Sequence, residues 1–313
     1  MNKIWTMGEL LVEIMRPYKD MPLYAVAEFL GPFPSGAPAI FIDTAARLGH
    51  NAGIIGAVGN DDFGKCLLSR LRTDEVDCTL VEEADDGSTA VAFVTYFGNG
   101  DRKFIFHIEN TPAGKVKSPL LNTIDGCDFF HIMGCSLTAC SNLYNEIIKT
   151  LNQFIAAGAS ISFDPNIRPE LLRGRGIKDF IEPVMQECEV FLPGEYELLA
   201  VSGESSIDTA VSALFQNPKL KVIALKRGSR GCTIYNRNNS FDFGVYPITP
   251  KDATGAGDCF DAAFLHCYIQ KICLSQCAKV ASAAAALNTA AFGPMEGKIS
   301  WDNINSLIAQ NSN

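Results

Sequence analysis

The sequence predicts an α/β protein with a mainly parallel central sheet, helices on both faces of that sheet, and a small second β-sheet. Two observations predict this class. Beyond residue 128, short apolar runs of strand type alternate with helical segments, as expected when crossover helices join parallel strands. Before that point, two strand-like runs flank the turn Gly98-Asn99-Gly100-Asp101, which indicates a local antiparallel hairpin. We expect one large domain, residues 1–313, that carries this excursion.

The N-terminal part of the chain supplies the first elements and the excursion. The predicted elements are one or two strands at 4–14, a helix at 38–48, a strand at 51–58, a helix at 63–71, and hairpin strands at 89–97 and 103–107. Between residues 15 and 34, four prolines interrupt any regular element. We expect residues at about 12–35 and 88–110 to form a lid over a pocket. The alternative is a plain hairpin packed on the core.

The remaining elements follow the alternation of strand and helix. In order, they are predicted at 129–133, 143–157, 159–163, 176–186, 190–192, 195–201, 207–215 and 220–225, followed by a hairpin at 232–235 and 241–245 and two final helices at 258–270 and 274–292. Ligands of such sheets bind beyond the C-terminal ends of the strands. Polar residues at those ends are therefore the candidates for a functional site.

Composition narrows the class of partner and the compartment. The net charge of -9 argues against nucleic acid or an anionic membrane as the main partner, because there is no basic surplus. The eleven cysteines form no CxxC pair, and the four histidines are not grouped, so we expect free thiols and no zinc site. No signal-peptide h-region and no long uncharged apolar run is present, which favours a cytoplasmic protein.

The most informative stretch is Lys251-Asp252-Ala253-Thr254-Gly255-Ala256-Gly257-Asp258 before an apolar helix. The small residues Gly255, Ala256 and Gly257 allow successive backbone N–H groups to point toward one anion, and the helix dipole adds positive potential there. Asp258, in the first helical turn, can accept the proton of an attacking hydroxyl during phosphoryl transfer. The plain alternative is a glycine-rich turn in which Asp258 caps the helix.

This string resembles the signature D-[TA]-T-G-A-G-D-x-F of the PfkB (ribokinase-like) family of sugar and nucleoside kinases. The resemblance implies a ribokinase-like fold, ATP and Mg²⁺ as cofactors, and Asp258 as the catalytic base beside the Gly255, Ala256 and Gly257 amides. It extends over almost the whole chain, from Gly8 to Gly293.

Several further segments resemble family segments and imply roles for their residues. Asp164-Pro165-Asn166-Ile167-Arg168 resembles D-x-N-x-R, which places Arg168 near substrate and phosphate; alone it would be a loop with a solvated arginine.

Pro193-Gly194-Glu195-Tyr196-Glu197 resembles P-N-x-x-E, which implies that Glu197 organises Mg²⁺ through water, although Gly194 replaces the usual asparagine. Alone, Glu197 would be a first-turn helix acid.

The resemblance also implies which residues contact the nucleotide and which contact the substrate. The resemblance implies ATP contacts for Lys226, Gly228, Gly231, Thr254, Gly255, Gly257 and Asn288. It implies substrate contacts for Glu13, Gly36, Ala37, Phe106, Arg168 and Asp258. Ile40 stands where relatives have a sugar-binding asparagine, and Ser35 replaces a glycine. Asp252 resembles the monovalent-cation loop of some relatives, so K⁺ is a further hypothesis.

The sequence therefore predicts an ATP-dependent kinase that phosphorylates a hydroxyl of a small sugar, of the fructokinase (ketose) type or the 2-keto-3-deoxygluconate type. Relatives that act on this acid sugar carry an arginine just after the second lid strand, where this chain has none; Arg102 and Arg168 are the possible substitutes. The alternatives are a nucleoside kinase, favoured by the apolar Ile40, Phe104 and Phe106, and a non-catalytic sugar or nucleotide sensor. We expect a homodimer formed through the lid edges.

Overall fold

In the computed structural model, which describes residues 3–98, 102–120 and 126–311, two β-sheets share one hydrophobic core. The strands are β1 (Lys3–Met7), β2 (Leu11–Met15), β3 (Leu30–Ser35), β4 (Asn51–Gly59), β5 (Asp77–Ala84), β6 (Ala90–Tyr96), β7 (Arg102–His107), β8 (Phe129–Met133), β9 (Ser160–Asp164), β10 (Cys188–Phe191), β11 (Val222–Lys226), β12 (Cys232–Asn236) and β13 (Ser240–Phe243). The predicted turn residues 99–101 lie outside the described residues.

Twelve helices accompany these strands in the described part of the chain. They are α1 (Ala37–Arg47), α2 (Asp62–Thr73), α3 (Pro112–Lys115), α4 (Gly134–Ala139), α5 (Ser141–Ala156), α6 (Pro169–Leu172), α7 (Lys178–Glu187), α8 (Glu195–Ser202), α9 (Ile207–Leu214), α10 (Ala256–Ile269), α11 (Leu274–Thr289) and α12 (Trp301–Gln310). None of the helices in that part is long and apolar enough to cross a membrane.

The large sheet has nine strands in the order β13-β12-β11-β10-β9-β8-β1-β4-β5. Neighbours from β5 to β11 pair in parallel, whereas β11, β12 and β13 form an antiparallel meander at one edge. Every residue of β1 and β8 is buried, as expected for central strands covered on both faces. The mainly parallel sheet is therefore confirmed, and it brings the ends of β9 and β11 to the same edge.

The small sheet has four strands in the order β3-β2-β6-β7. Strand β2 pairs in parallel with β6 and antiparallel with β3, and β6 pairs antiparallel with β7. Strands β1 and β2 follow one another in the chain but belong to different sheets, so the break at Gly8, Glu9 and Leu10 carries the chain from one sheet to the other. We call this second sheet the four-stranded sheet.

Residues 16–29 of the four-stranded sheet connect β2 to β3 without regular structure, and Arg16 holds them. Its side chain is buried, and its guanidinium donates hydrogen bonds to the carbonyl oxygens of Pro22 at 2.9 Å, Ala27 at 2.8 Å and Glu28 at 3.0 Å, among others. It also lies 3.8 Å from the centre of the Phe29 ring. One buried cation therefore supplies donors to a run of carbonyls that no strand or helix satisfies.

Six elements were missed by the sequence analysis: β3, β5, α3, α4, α6 and α12. Strand β3 lies where four prolines were expected to interrupt any regular element; it is an edge strand, which tolerates proline. Strand β5 is an edge strand with a mostly half-exposed pattern, so it lacks the continuous apolar run that marked its neighbours. The prediction of two final helices was also wrong, because α12 follows them. Ser300 caps α12 by accepting a hydrogen bond from Asn303 N at 3.2 Å, but Ile304 is its one buried residue, which leaves a weak amphipathic signal.

Candidate active site

The anion-binding turn lies where α10 begins. Gly255 is the N-terminal cap with φ 78°, and a Cβ there would lie 2.5 Å from the carbonyl oxygen of Pro294, so only glycine fits. Among the described residues, the amides of Gly255 and Gly257 have no backbone partner, whereas Ala256 N has one long bond of 3.3 Å to Ala253 O. Free amides at the positive end of a helix form an anion site.

Asp258 lies in the first turn of α10 and lines a cavity beside these amides. It is 5% exposed, and its Oδ1 accepts a hydrogen bond from Asn166 Nδ2 at 3.0 Å. Burial, followed by the charge of Asp164, raises the pKa of Asp258 to about 6, although Arg168, Lys226 and Arg102 oppose the shift. A carboxylate with this pKa is ionised at neutral pH and basic enough to accept a proton.

The residues predicted to bind substrate converge on the same cavity. Glu13, Gly36, Ala37, Phe106 and Arg168 all line it. Glu13 Oε1 accepts a hydrogen bond from Ser35 Oγ at 2.7 Å, and its buried Oε2 has no partner. Burial is the main cause that raises the pKa of Glu13 to about 7. The Ser35 substitution thus supplies a hydrogen bond that orients Glu13 and leaves its second oxygen available to a ligand.

Gly36 initiates α1 in a conformation that requires glycine. Its φ is 104°, and a Cβ there would lie 2.5 Å from the carbonyl oxygen of Glu9. Ile40, one turn later, is 3% exposed and also lines the cavity. The position therefore presents an apolar surface, as its sequence predicts.

Glu9, Arg102 and Cys135 are among the cavity residues that were not predicted as site residues. Glu9 is buried at the chain crossing between the two sheets, where it accepts hydrogen bonds from Ser136 Oγ at 2.5 Å and Cys135 Sγ at 3.2 Å. Burial raises its pKa above the ordinary value of a glutamate. A glutamate inside an apolar run was the available signal. Arg102 was named from the sequence only as a possible partner of an acid sugar. Cys135 carried no signal, because it lies in the missed helix α4.

Lys226 occupies a buried ion-pair cluster under the turn. Its Nζ lies 2.9 Å from Asp164 Oδ2 and 2.8 Å from Asp261 Oδ2. Burial lowers the pKa of the ammonium, but these two carboxylates outweigh that effect and raise it. A Cβ at Gly257 would lie 3.7 Å from Nζ, so the charge sits directly below the anion-binding amides. Contact with a phosphate remains a prediction, since Lys226 is already paired.

Glu197 joins two loops at the edge of the large sheet. Its Oε2 accepts a hydrogen bond from Gly194 N at 2.7 Å, and its Oε1 accepts one from Ile167 N at 2.8 Å. Gly194 needs no asparagine side chain for this contact, because its backbone N–H makes it. Burial, followed by the charge of Asp164, raises the pKa of Glu197. Glu197 therefore positions the segment that carries Asn166 and Arg168.

The fit of Mg²⁺ rests on oxygen atoms around this edge. Each Glu197 oxygen keeps a free lone pair, and Asn166 Oδ1 is buried without a partner. In residues 3–98, 102–120 and 126–311, no group of three or more His, Cys, Asp or Glu side chains converges as metal ligands. Mg²⁺ keeps several waters and binds mainly through substrate phosphates and one or two carboxylates, so the oxygens of Glu197 and Asn166 fit this ion.

Asp252 and Asn288 support the turn from below. Asp252 Oδ1 accepts hydrogen bonds from Thr254 N at 2.9 Å, Thr254 Oγ1 at 2.8 Å and Tyr96 OH at 2.8 Å. Its Oδ2 accepts one from Gly293 N at 3.0 Å. Because these protein donors already satisfy the carboxylate, it fits a monovalent cation poorly.

Asn288 was predicted to contact ATP, and this contact remains a prediction. It is 0% exposed, and its Nδ2 donates to the carbonyl oxygen of Thr254 at 2.8 Å. Its side chain therefore supports the turn. Gly228 and Gly231 bracket a short turn after β11, and the neighbouring Arg230 pairs with Glu195. Their ATP contacts remain predictions.

An anion-binding turn, a buried base and a polar cavity at the carboxyl edge of an α/β sheet define a phosphotransferase that acts on an alcohol. The model of the pfkB family carbohydrate kinases matches residues 15–301, so the chain belongs to that family. The ATP-dependent carbohydrate kinase class and the ribokinase-like fold predicted from the sequence are confirmed.

Three similar proteins illustrate the likeness. Fructokinase-1 of Oryza sativa subsp. japonica is 30% identical over 268 residues, which cover 84% of this chain and 82% of that protein. An E. coli protein provisionally named Ribokinase II, solved with ATP and Mg²⁺, is 37% identical with a TM-score of 0.92, covering 99% of this chain and 100% of that chain. The fold is shared with a fructokinase variant of Vibrio cholerae O395, solved with fructose, ADP and potassium. That chain is 22% identical with a TM-score of 0.81, and the match covers 98% of both chains.

The raised pKa of Asp258 predicts the acid limb of the pH profile. The base must be ionised to accept a proton, so kcat/KM should fall as the pH decreases through about 6, where an unperturbed aspartate near 3.8 would still be active. Initial rates of ADP release between pH 4.5 and 8.5, with the coupling enzymes kept in excess, measure this limb. A flat profile down to pH 5 would contradict the assignment.

Proposed function

We propose that the protein transfers the γ-phosphoryl group of ATP to a hydroxyl of a small sugar, of the fructokinase (ketose) type or the 2-keto-3-deoxygluconate type. The observation that carries the proposal is the buried Asp258 between a cavity lined by sugar-compatible polar groups and the free amides of the turn. The base, the anion site and the substrate pocket thus lie within one turn of helix.

Each group has a defined task in this reaction. Asp258 accepts the proton of the sugar hydroxyl as its oxygen attacks, while Asn166 holds the carboxylate through its hydrogen bond of 3.0 Å. The Gly255 and Gly257 amides and the dipole of α10 stabilise negative charge on the transferring group. Arg168, which also lines the cavity, adds a cation on the same side. Bound Mg²⁺, organised from the side of Glu197 and Asn166, would neutralise phosphate charge.

The four-stranded sheet acts in this proposal as a lid within a single kinase domain, residues 1–313. Phe104 and Phe106 of β7 line the cavity from that sheet, with ring centroids 5.0 Å apart. An apolar cover excludes water, which would otherwise compete with the sugar for the phosphoryl group.

The neutral ketose is the first candidate substrate. The similar plant proteins are fructokinases, and Glu13 offers an unpartnered buried oxygen that can accept a hydrogen bond from a sugar hydroxyl. An acid sugar is the second candidate, because Arg102 and Arg168 both line the cavity. The carboxylate of an acid sugar, bound between these two arginines, would compensate their positive charge.

The proposal is tested by coupled ADP release over fructose and other ketoses, aldoses, 2-keto-3-deoxygluconate and nucleosides. We expect one sugar class to give saturable turnover. Asp258→Asn should reduce kcat by at least about 10²-fold, because the proton acceptor is lost. The variant should keep its thermal stability, since burial disfavours the charge that it removes. Turnover confined to nucleosides, or an unchanged kcat in Asp258→Asn, would overturn the assignment.

The proposal includes a homodimer formed through the four-stranded sheet. Strands β3 and β7 are its free edges, and exposed apolar side chains, including Tyr24, Leu30 and Ile105, lie on this sheet and its excursion. A second copy of the chain would cover them.

Ile105→Lys should shift the mass measured by light scattering after size exclusion from dimer toward monomer, because it places a charge in the proposed interface. Tyr196→Lys, at an exposed position on α8 outside the four-stranded sheet, is the control. A wild-type protein that is monomeric at tens of micromolar would contradict the proposal. A cytoplasmic location, predicted from the sequence, completes it.

Potassium is expected to be dispensable. Asp252, the residue predicted to anchor a monovalent cation, already accepts four hydrogen bonds from protein donors. Replacing K⁺ with Na⁺ at constant ionic strength should change the rate by less than about threefold, given that the carboxylate is satisfied without an ion. A tenfold stimulation specific to K⁺ would assign a cation to this loop.

A further inference from the structure

Tyr96 connects the four-stranded sheet to the anion-binding turn. It is the last residue of β6, and its hydroxyl donates a hydrogen bond to Asp252 Oδ1 at 2.8 Å and contacts the hydroxyl of Thr254. Thr254 immediately precedes Gly255, and Asp252 lies three residues before it. A side chain that arises from one sheet therefore contacts the turn on which the transferring phosphoryl group would be held.

The orientation of Asp252 determines the shape of that turn. Its Oδ1 accepts both donors of Thr254, and its Oδ2 accepts the N–H of Gly293 at 3.0 Å. Asn288 holds the Thr254 carbonyl from the opposite side at 2.8 Å. The peptide before Gly255 is thus fixed by contacts that all pass through Asp252 or Thr254, and Tyr96 contacts both of them.

The Tyr96 hydroxyl remains a donor under working conditions. Burial raises its pKa, and the charges of Asp252 and Glu13 raise it further, so it is protonated at every pH at which the protein is folded and active. A charge-assisted hydrogen bond in a partly buried site contributes more than a neutral exposed one. The contact between sheet and turn is therefore strong enough to influence the alignment of the amides.

We propose that Tyr96 is a positioning residue that latches the four-stranded sheet onto the anion-binding turn, so that the Gly255 and Gly257 amides are aligned when the sheet covers the cavity. This inference rests on the proposed function, in which that sheet is the lid. It predicts that covering the substrate and ordering the phosphate site are one event, as in other enzymes whose closure completes the catalytic arrangement.

The first test is Tyr96→Phe, which removes the hydroxyl and keeps the ring. We expect kcat to fall about tenfold or more, because a hydrogen bond to a carboxylate is lost from the group that sets the turn, while the KM for the sugar changes less than about threefold. Tyr18→Phe removes the hydroxyl of an exposed tyrosine on the same excursion and is the matched control, with kcat unchanged. A Tyr96→Phe enzyme with kcat within twofold of wild type would overturn the latch.

A double-mutant cycle separates positioning from general stabilisation. If Tyr96 acts through Asp252, then Tyr96→Phe should cost little further kcat in an Asp252→Asn background. If instead the reductions in kcat caused by the two substitutions multiply in the double variant, Tyr96 acts elsewhere and the proposal is overturned.

A second readout does not require an identified sugar. Amide hydrogen exchange of residues 252–258 in the presence of ATP should be faster in Tyr96→Phe than in wild type, with exchange in α5 unchanged. Equal exchange in the two proteins would count against the latch. If instead the wild type releases no ADP with any sugar while the exchange difference is present, the proposed function fails and the latch stands.

Discussion

The site depends on a buried carboxylate held at the positive end of a helix. The dipole of α10 and the free amides favour negative charge at its first turn, whereas burial of Asp258 disfavours it, and the result is a pKa of about 6. A fully solvated aspartate would be too weak a base, and one buried without neighbouring cations would stay protonated. The surrounding residues keep the pKa of Asp258 between these two limits.

The buried charges near Asp258 make this balance possible. Lys226 pairs with Asp164 and Asp261, so two acids are close to Asp258 without leaving the region strongly negative. Burial acts to raise the pKa of Asp164, but the charge of Lys226 together with the hydrogen bonds to this carboxylate outweighs burial and lowers that pKa. Asp164 therefore stays ionised, and its charge helps to raise the pKa of Asp258. Removing one partner from such a cluster leaves a charge uncompensated, so its members are constrained together.

Local sequence predicted the parts of the site that are continuous in the chain. Gly255 and Asp258 lie within one turn, and Gly36 and Ala37 begin one helix, so small-residue patterns were sufficient to find them. Tyr96 was not found, because it faces Arg102 across the β6–β7 pair and its placement depends on strand register. The burial of Asn288 was not predicted for a related reason, since a motif gives the position of a residue in the chain but not its burial.

The fold was predictable where the apolar periodicity of the sequence is strong, and less so for the edge strand β5 and the last helix, α12. The central strands are buried along their whole length, which produces unmistakable apolar runs, while β5 and α12 each bury little of their surface. The hairpin signal predicted the pairing of β6 with β7, but the sheet that they join is completed by β2 and β3, whose partners are distant in sequence.

The way Arg16 fixes the 16–29 excursion has an evolutionary consequence. Its guanidinium binds main-chain oxygens, which every residue type possesses, rather than particular side chains. The loop can therefore exchange most of its outward-facing residues without losing its shape. The protein thus has a surface beside its catalytic cleft on which new recognition properties can arise by substitution, at little risk to folding.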